Sequence, residues 1–172
     1  MDTDYTINQP VIGTLQDALN LAFGKNRIQV GGCLNAQSVA EVCSLLEAAH
    51  RFNVRVHMKS CSKDSLAIDL SGLNKLRDMD TISQLVTAES GMSVGELESA
   101  LADEGLSLGP SAFADPGETL GRALARGDGA ALVASVGAVL ADGTLFHTPL
   151  APRRATGPNP DALLVGTGRR VA

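Results

Sequence analysis

Three helix-start signals with the same spacing divide the chain and restrict the folds open to it. Each is a Ser or Thr with an acidic residue three positions later, a pattern in which a side-chain oxygen caps the first turn of a helix. The pairs are Thr14 with Asp17, Ser38 with Glu41, and Ser93 with Glu96. Apolar residues at helical spacing follow each pair. The sequence therefore predicts amphipathic helices over residues 15–23, 39–51 and 94–104.

Short apolar or alternating stretches between these helices predict β-strands. The stretches are residues 27–30, 54–58, 66–70, 84–89 and 131–140, with a return strand at 145–148. The last two flank Asp142 and Gly143, a strong hairpin turn because Gly accepts a positive φ. Short helices are expected at 120–124 and 161–165, on either side of this hairpin. Helices mixed with short strands indicate an α+β domain that begins with a small βα lobe.

Composition excludes several function classes. Of 172 residues, 44% are hydrophobic and 19% charged, as in ordinary globular domains. Aromatic residues make up 3% and the net charge is −5, which disfavours nucleic-acid binding because stacking surfaces and positive charge are both scarce. No apolar run is long enough to span a membrane, so we expect a cytoplasmic protein with no membrane insertion. Three cysteines without a CxxC pair indicate neither a disulfide framework nor a metal site.

Five blocks in a fixed order carry a resemblance to a known family. They are IDLSGLNKL (68–76), VTAESGMSVGELESALADEGLSLGP (86–110), ETLGRALA (118–125), VLADGTL (139–145) and PRRATGPNPDALLVGTG (152–168). The pattern resembles the FAD-binding domain of the vanillyl-alcohol-oxidase, or PCMH-type, flavoproteins. It is most similar to the branch with glycolate and D-lactate dehydrogenases and alkyl-dihydroxyacetonephosphate synthase.

The resemblance implies one FAD-binding-type domain, residues 1–172, with two α+β lobes and FAD extended between them. The small lobe would span residues 1–80, and a larger lobe with a mixed sheet, short at its C-terminus, would span 81–172. A separate substrate domain completes the flavin site in the family. The family also implies a glycine-rich phosphate loop between the equivalents of Val56 and Ile68.

The chain departs from this family at the cofactor loops. Residues 57–65 read HMKSCSKDS, without a glycine. Arg122 follows Gly121 where the family has a second glycine, and only ARGDGA separates Leu124 from the next apolar run. The sequence also ends where relatives continue toward the substrate domain. These departures predict a degenerate flavin site.

Candidate site residues follow from the resemblance. If FAD binds, its contacts are expected at Pro110, Ser111, Thr119 and Gly121; alternatively, this loop only closes the second lobe. Candidate anion-binding residues form a second set, which comprises Lys59, Lys63, Arg122 and Arg153. Arg122 is expected to pair with Asp115 or Asp128. A covalent flavin link would fall on His57 or Cys61. No catalytic residue is identified, because His50 and His147 lack a recognised partner arrangement.

Two hypotheses of function remain open, with a third behind them. The leading one is a flavin-free, non-enzymatic relic that serves as a structural or interaction module. It predicts a homo-oligomer or a protein partner, with sheet edges near residues 131–148 as the contact. The alternative is the FAD-binding subunit or fragment of an oxidoreductase acting on a 2-hydroxy acid or related alcohol. The third is a cleft that binds another small anion.

Overall fold

The computed structural model describes residues 14–25, 27–29, 31–58, 65–109, 113–150 and 160–166. Within these ranges the chain forms short strands and helices that alternate along the sequence. In chain order they are α1 (Leu15–Phe23), β1 (Cys33–Asn35), α2 (Val39–Arg51), β2 (Arg55–Met58), β3 (Ser65–Asp69), β4 (Leu76–Asp80), β5 (Leu85–Ala88), α3 (Val94–Asp103), α4 (Leu120–Arg126), a 3₁₀ turn (Ala130–Leu132), β6 (Gly137–Val139), β7 (Leu145–His147) and α5 (Asp161–Leu164).

The helix caps confirm the three predicted helix starts. The hydroxyl of Thr14 accepts from the N–H of Asp17 at 3.2 Å. Ser93 and Glu96 form a reciprocal capping box, with each side chain bonded to the other residue's N–H. The second pair is only half of such a box: Ser38 caps Glu41, whose carboxylate turns instead to the N–H of Gln37 at 2.9 Å. All three signals therefore mark the helices correctly.

A parallel three-stranded sheet forms the centre of the first half, in the order β1-β3-β2. Its central strand β3 is buried, with Leu66 and Ala67 fully inaccessible. Helices α1 and α2 pack with the sheet, and Leu19, Leu34 and Leu45 lie with Leu66 in one hydrophobic cluster, here called the first core. Burial of a continuous aliphatic strand is typical of parallel sheets.

The strand predicted at residues 27–30 is wrong over its described part, residues 27–29. Ile28 is buried in the first core, but its carbonyl oxygen accepts from the side-chain Nε2 of Gln16 at 3.0 Å rather than from a neighbouring strand. Gly31 then takes a positive φ of 83°. The N–H of Gly31 donates to the carbonyl of Ser65, and the carbonyl of Gly32 accepts from the N–H of Ala67, each at 3.0 Å. The chain therefore reaches β3 through this turn, and regular strand pairing runs from Cys33.

The second half contains an antiparallel β4–β5 pair and the helices α3 and α4. Met92, Leu97, Leu101, Leu120 and Ala123 form the second core, against which Leu76 and Met79 of β4 pack. Strand β4 has no counterpart among the predicted strands. A register shift between Leu76 and Asp78 disrupts its alternation, so its two packed residues lie three positions apart.

Strands β6 and β7 form an antiparallel hairpin across the predicted turn at Asp142 and Gly143. The prediction of one buried strand over residues 131–140 is wrong. Residues 130–132 form a 3₁₀ turn with Leu132 exposed, and only Gly137–Val139 pair with β7. The hairpin lies against the first core: Val139 packs on it, and Gly143 sits close to the backbone of Cys43 in α2.

The mixture of one parallel sheet, antiparallel pairs and helices confirms the α+β class. Along the chain the packing changes from the first core to the second between Leu73 and Leu76, and Val139 returns to the first core. The division into lobes at residue 80 stays a prediction. In the described ranges no helix has the length and apolar character needed to cross a membrane; a cytoplasmic location also stays a prediction.

Candidate functional site

Three backbone segments meet between the two cores, and we call residues 70–73, 89–95 and 116–121 together the turn junction. The N–H of Gly91 donates to the carbonyl of Leu73 at 2.7 Å, and the N–H of Gly121 donates to the carbonyl of Ser90 at 2.8 Å. Further backbone bonds join Leu120 to Met92, Val94 to Glu118 and Gly95 to Pro116, at 2.8–2.9 Å. Main-chain bonds therefore hold the predicted cofactor loop against the end of β5.

Gly121 lies at the tightest contact between α4 and the loop after β5. A Cβ built on Gly121 would lie 2.8 Å from the Cβ of Ser90 and 3.1 Å from its carbonyl oxygen. The space that the missing side chain leaves is thus filled by the Cβ and the carbonyl oxygen of Ser90. Gly121 is needed for packing here whether or not a cofactor lies beside it, and its role as a cofactor contact stays a prediction.

Thr119 is the other predicted cofactor residue that the structure describes. It is the N-cap residue of α4, yet its hydroxyl makes no capping hydrogen bond. Its backbone forms an isolated antiparallel bridge with Ser93. The hydroxyl of Thr119 is therefore available as a hydrogen-bond donor or acceptor for a ligand.

A nearly buried carboxylate organises the charges around α4. The side chain of Glu118 is 7% exposed and accepts from Nε of Arg122 at 3.0 Å. It also accepts hydrogen bonds from both terminal nitrogens of Arg126. One of these nitrogens lies 2.6 Å from the carboxylate of Asp128. The hydrogen bonds that Arg126 donates to Glu118, and then the one that it donates to Asp128, raise the pKa of Arg126 above its ordinary value.

The predicted partner of Arg122 is therefore wrong. Arg122 pairs with Glu118 and not with Asp115 or Asp128. Asp128 instead forms an ion pair with Arg126. The spacing was visible in the sequence, because Glu118, Arg122 and Arg126 follow one another at intervals of four residues. Arg122 and Arg126 lie one turn apart on α4, and Glu118 lies one turn before Arg122, just ahead of the N-cap Thr119. Glu118 and Arg126 are the site residues that sequence reasoning missed.

The other candidate residues lie outside the described ranges: Lys59, Lys63, Pro110, Ser111, Arg153 and, of the two covalent-link candidates, Cys61. The ends of the flanking strands are described. β2 ends at Met58 and β3 begins at Ser65, and the two strands are parallel neighbours. Only residues 59–64 connect them, whereas parallel strands are ordinarily joined by about a dozen residues or more. The segment that the resemblance equates with the phosphate loop is thus a short connection that begins at the carboxyl end of β2. His57, the other covalent-link candidate, lies exposed on β2.

An open groove of about 570 Å³ lies along α3. Its walls include Val94, Ala102 and Phe113, with Glu98 among them. The carboxylate of Glu98 accepts from the hydroxyl of Ser107 at 2.5 Å and from the N–H of Leu108 at 2.9 Å. These two bonds lower the pKa of Glu98, and the bond from the Ser107 hydroxyl has the larger effect. Glu98 therefore fastens the segment after α3 to the helix.

The fit of FAD can be judged at the turn junction. A diphosphate needs hydrogen-bond donors, positive charge and close approach of the backbone. Thr119 offers a hydroxyl, and Arg122 is 68% exposed with only its Nε engaged by Glu118 among the described residues. Close approach at Gly121 is blocked, because Ser90 occupies that space. The described residues suit the charge of the cofactor but do not form a glycine-lined cradle.

A comparison with known families identifies the class. The family model described as "FAD binding domain" matches residues 32–149, a range that contains the second core, the turn junction and the part of the first core that follows α1 and Ile28. The chain belongs to this family of FAD-binding domains. Within it, the fold is that of the vanillyl-alcohol-oxidase, or PCMH-type, flavoproteins, as the resemblance implied.

Individual relatives agree with this class. The uncharacterized FAD-linked oxidoreductase YgcU of Escherichia coli (strain K12) is 29% identical over 119 residues, which are 63% of this chain and 25% of YgcU. The structure of an alkyldihydroxyacetonephosphate synthase matches with a TM-score of 0.63 and 22% identity, over 79% of this chain and 28% of that one. The glucose dehydrogenase Phl p 4.0202 also gives a TM-score of 0.63, with 20% identity over 81% of this chain and 32% of its own.

The chain spans about a quarter to a third of the length of these relatives. What matches is the FAD-binding domain of an oxidoreductase family. These findings favour the alternative hypothesis from the sequence over the leading flavin-free one, since the match runs through the loops that were expected to be degenerate.

Proposed function

We propose that this chain binds FAD and serves as the FAD-binding domain of an oxidoreductase. The single observation that carries the proposal is the family match over residues 32–149, which includes the turn junction and the connection from β2 to β3. The chemistry that FAD supplies when bound is acceptance of two electrons from a substrate. The residues of this chain bind and orient the cofactor.

The positive charge for the phosphates comes from side chains in this proposal. Arg122 is held in place because its Nε donates to the nearly buried Glu118, which leaves its two terminal nitrogens for a ligand. A guanidinium whose two terminal NH₂ groups face a ligand can bind a phosphate in a bidentate way. Lys59, Lys63 and Arg153 are further proposed donors, and Pro110, Ser111 and Thr119 are proposed contacts along the loop.

The substrate of the whole oxidoreductase is proposed to be a 2-hydroxy acid or related alcohol. Support comes from the resemblance to the glycolate and D-lactate dehydrogenase branch, and from a structural match that is named a glucose dehydrogenase. The substrate would be bound largely by parts of the oxidoreductase beyond the FAD-binding domain, and the described residues offer no catalytic group for it.

A comparison of two ligands and two variants tests the flavin site. Titration of the full chain with FAD and with riboflavin, followed by flavin fluorescence, should give tighter binding of FAD because riboflavin lacks the diphosphate. Arg122→Gln should weaken FAD binding about tenfold and leave riboflavin binding unchanged, since one charge-assisted contact is lost. The matched control is Arg51→Gln at the end of α2. In the wild type, the guanidinium carbon of Arg51 lies 5.8 Å from the centre of the Phe52 ring. Equal affinities for both ligands in all three proteins would refute the assignment of Arg122.

The flavin-free interaction module remains the second candidate, because two observations favour it. Ser90 fills the space beside Gly121, and residues 57–65 contain no glycine, so two places where backbone would approach the cofactor are closed or altered. This candidate predicts that neither FAD nor riboflavin binds at all. The same titration therefore separates the two functions.

A further inference from the structure

The outer edge of β7 is open in the described part of the chain. The N–H of Leu140 donates to the carbonyl of Thr144 at 2.9 Å, and the N–H of Thr148 donates to the carbonyl of Val136 at 3.0 Å. Thr144 and Thr148, which flank β7, therefore bond inward to β6 and its ends. Hydrogen-bonding direction alternates along an antiparallel strand. The N–H and C=O groups of Leu145 and His147 therefore point away from β6, where no described strand pairs with them.

The large side chains along this edge are exposed to solvent. Leu145 is 45% and Phe146 36% exposed, and Leu150 just beyond the strand is also exposed. The sequence from Gly143 to Pro152 contains no Lys, Arg, Asp or Glu. Natural proteins commonly protect an open edge with a charged residue, a bulge or a covering segment. The described part of the chain has no charge or bulge on this edge.

The open edge is complementary to itself. If two copies of β7 meet antiparallel about a two-fold axis through Phe146, Leu145 of each copy faces the partner's His147. These are the two residues whose N–H and C=O groups point outward, so all four donors and acceptors on each side find partners. Phe146 faces the partner's Phe146 in a non-hydrogen-bonded pair, where side chains approach most closely.

We propose that this chain forms a two-fold dimer in which β7 pairs with β7 of a second copy to give a continuous four-stranded sheet. Charge favours this place on the surface: each copy carries a net charge of −5, and the sequence from Gly129 to Pro152 contains Asp142 as its only Lys, Arg, Asp or Glu. Two-stranded sheets are marginal on their own and gain stability when further strands are added. The dimer does not depend on flavin binding.

Sedimentation equilibrium of the full chain tests the proposal. The wild-type protein should approach twice its mass of 17.8 kDa as its concentration rises from micromolar to millimolar. Phe146→Lys places two ammonium groups together at the two-fold axis and should raise the dimer dissociation constant at least about tenfold. The matched control, Ala141→Lys, adds the same charge at the exposed hairpin turn and should dimerise like the wild type.

A second variant isolates the main-chain bonds. His147→Pro removes an N–H that points away from β6, so it takes one donor from each copy without breaking a bond within the hairpin. It should weaken the dimer and leave the far-ultraviolet circular dichroism unchanged. A wild-type protein that stays monomeric throughout would overturn the proposal, as would full dimerisation of folded Phe146→Lys and His147→Pro.

A cross-link provides a readout if either variant fails to fold. Oxidation of Phe146→Cys with a copper–phenanthroline oxidant should give a disulfide-linked dimer, because facing residues of a non-hydrogen-bonded pair lie close enough for a disulfide. Ala141→Cys and the wild type, which has three cysteines of its own, set the background. Equal cross-linking in all three proteins would contradict the β7 interface.

Discussion

Gly121 and Ser90 are in direct backbone contact: the N–H of Gly121 donates to the carbonyl of Ser90 at 2.8 Å, and a Cβ on Gly121 would lie 2.8 Å from that of Ser90. This contact joins the start of α4 to the turn after β5. A glycine that resembles a cofactor-loop residue in sequence therefore has a packing function of its own, and its substitution should affect the fold before it affects any ligand.

Gly121→Ala should lower the free energy of unfolding by about 1–3 kcal/mol, because the added methyl group meets the Cβ and the carbonyl oxygen of Ser90, which cannot rotate away. Gly117→Ala is the matched control in the same loop, since its Cβ would meet only Asp115 Oδ1 at an ordinary 3.4 Å. Urea unfolding of the two variants, without flavin, measures the difference. Equal free energies of unfolding for the two variants would show that the close contact with Ser90 does not penalise a side chain at position 121.

Glu118→Gln should also destabilise the fold, by about 1–3 kcal/mol, because it replaces the nearly buried carboxylate that accepts from Arg122 and Arg126. The neutral amide offers one acceptor oxygen in place of two and turns an N–H₂ group toward guanidinium donors. Glu104→Gln, at an exposed position after α3, controls for the loss of one negative charge. Thermal unfolding should show a larger loss of Tm for Glu118→Gln than for Glu104→Gln at both low and high salt, since burial of Glu118 limits screening.

The bonds of Glu98 predict a pH dependence in the acid range. The hydroxyl of Ser107 and the N–H of Leu108 lower the pKa of Glu98 below its ordinary 4.5 in the folded protein. A carboxyl whose folded pKa is lowered stabilises the fold above its unfolded pKa, and this stabilisation is lost as pH falls through the folded value. The Tm advantage of the wild type over Glu98→Gln should therefore be present at pH 7 and disappear below pH 4.5.

Ser107→Ala provides the companion measurement for Glu98. Loss of the hydroxyl should move the pKa of Glu98 upward toward its ordinary value, which a carboxyl NMR titration would detect directly. A Tm difference between wild type and Glu98→Gln that stays constant from pH 7 to pH 3 would contradict this account of the groove.

Gly143→Ala tests whether the hairpin is seated on α2. Gly143 has a φ of 88°, and a Cβ there would lie 2.8 Å from the carbonyl oxygen of Cys43. Both strain and overlap should destabilise the variant, by about 2–4 kcal/mol together. Gly105→Ala separates the two effects, because Gly105 has a φ of 72° but open space around it. Equal losses of stability in the two variants would show that the hairpin does not press on α2.

The helices were predictable because their start signals are local. A Ser or Thr cap and an acidic residue three positions later act within one turn, so Ser38 and Ser93 mark α2 and α3 without knowledge of the rest of the chain. The hairpin turn at Gly143 is local in the same sense. The family resemblance added the arrangement of these elements, which local patterns cannot supply.

The strands were less predictable, because tertiary contacts decide where pairing begins and ends. In β4, a register shift separates the packed residues Leu76 and Met79 by three positions, which hides the alternation of a strand. In residues 131–140, the apolar composition suggests a long strand. Regular pairing covers only Gly137–Val139, because side chains take over the bonds at the next pair. The N–H of Val136 donates to Oγ1 of Thr148 at 2.8 Å, and the carbonyl of Thr148 accepts from the hydroxyl of Ser135 at 2.7 Å.

The candidate site was predictable in its location and only partly in its contacts. The family blocks led to Thr119, Gly121 and Arg122, which the structure places together at the start of α4. The partner of Arg122 depended on where that helix begins: with α4 starting at Leu120, Glu118 precedes its cap and lies one turn from Arg122. Closure of the space at Gly121 by Ser90 depends on the packing of two loops, which no local pattern encodes.

The central claim is that this FAD-binding domain holds FAD, and the visible absorption spectrum tests it most directly. The purified full chain is incubated with excess FAD, unbound cofactor is removed by gel filtration, and the spectrum is recorded beside a circular dichroism spectrum that verifies folding. The account predicts a retained flavin band at close to one FAD per chain. A folded protein that emerges colourless would contradict it.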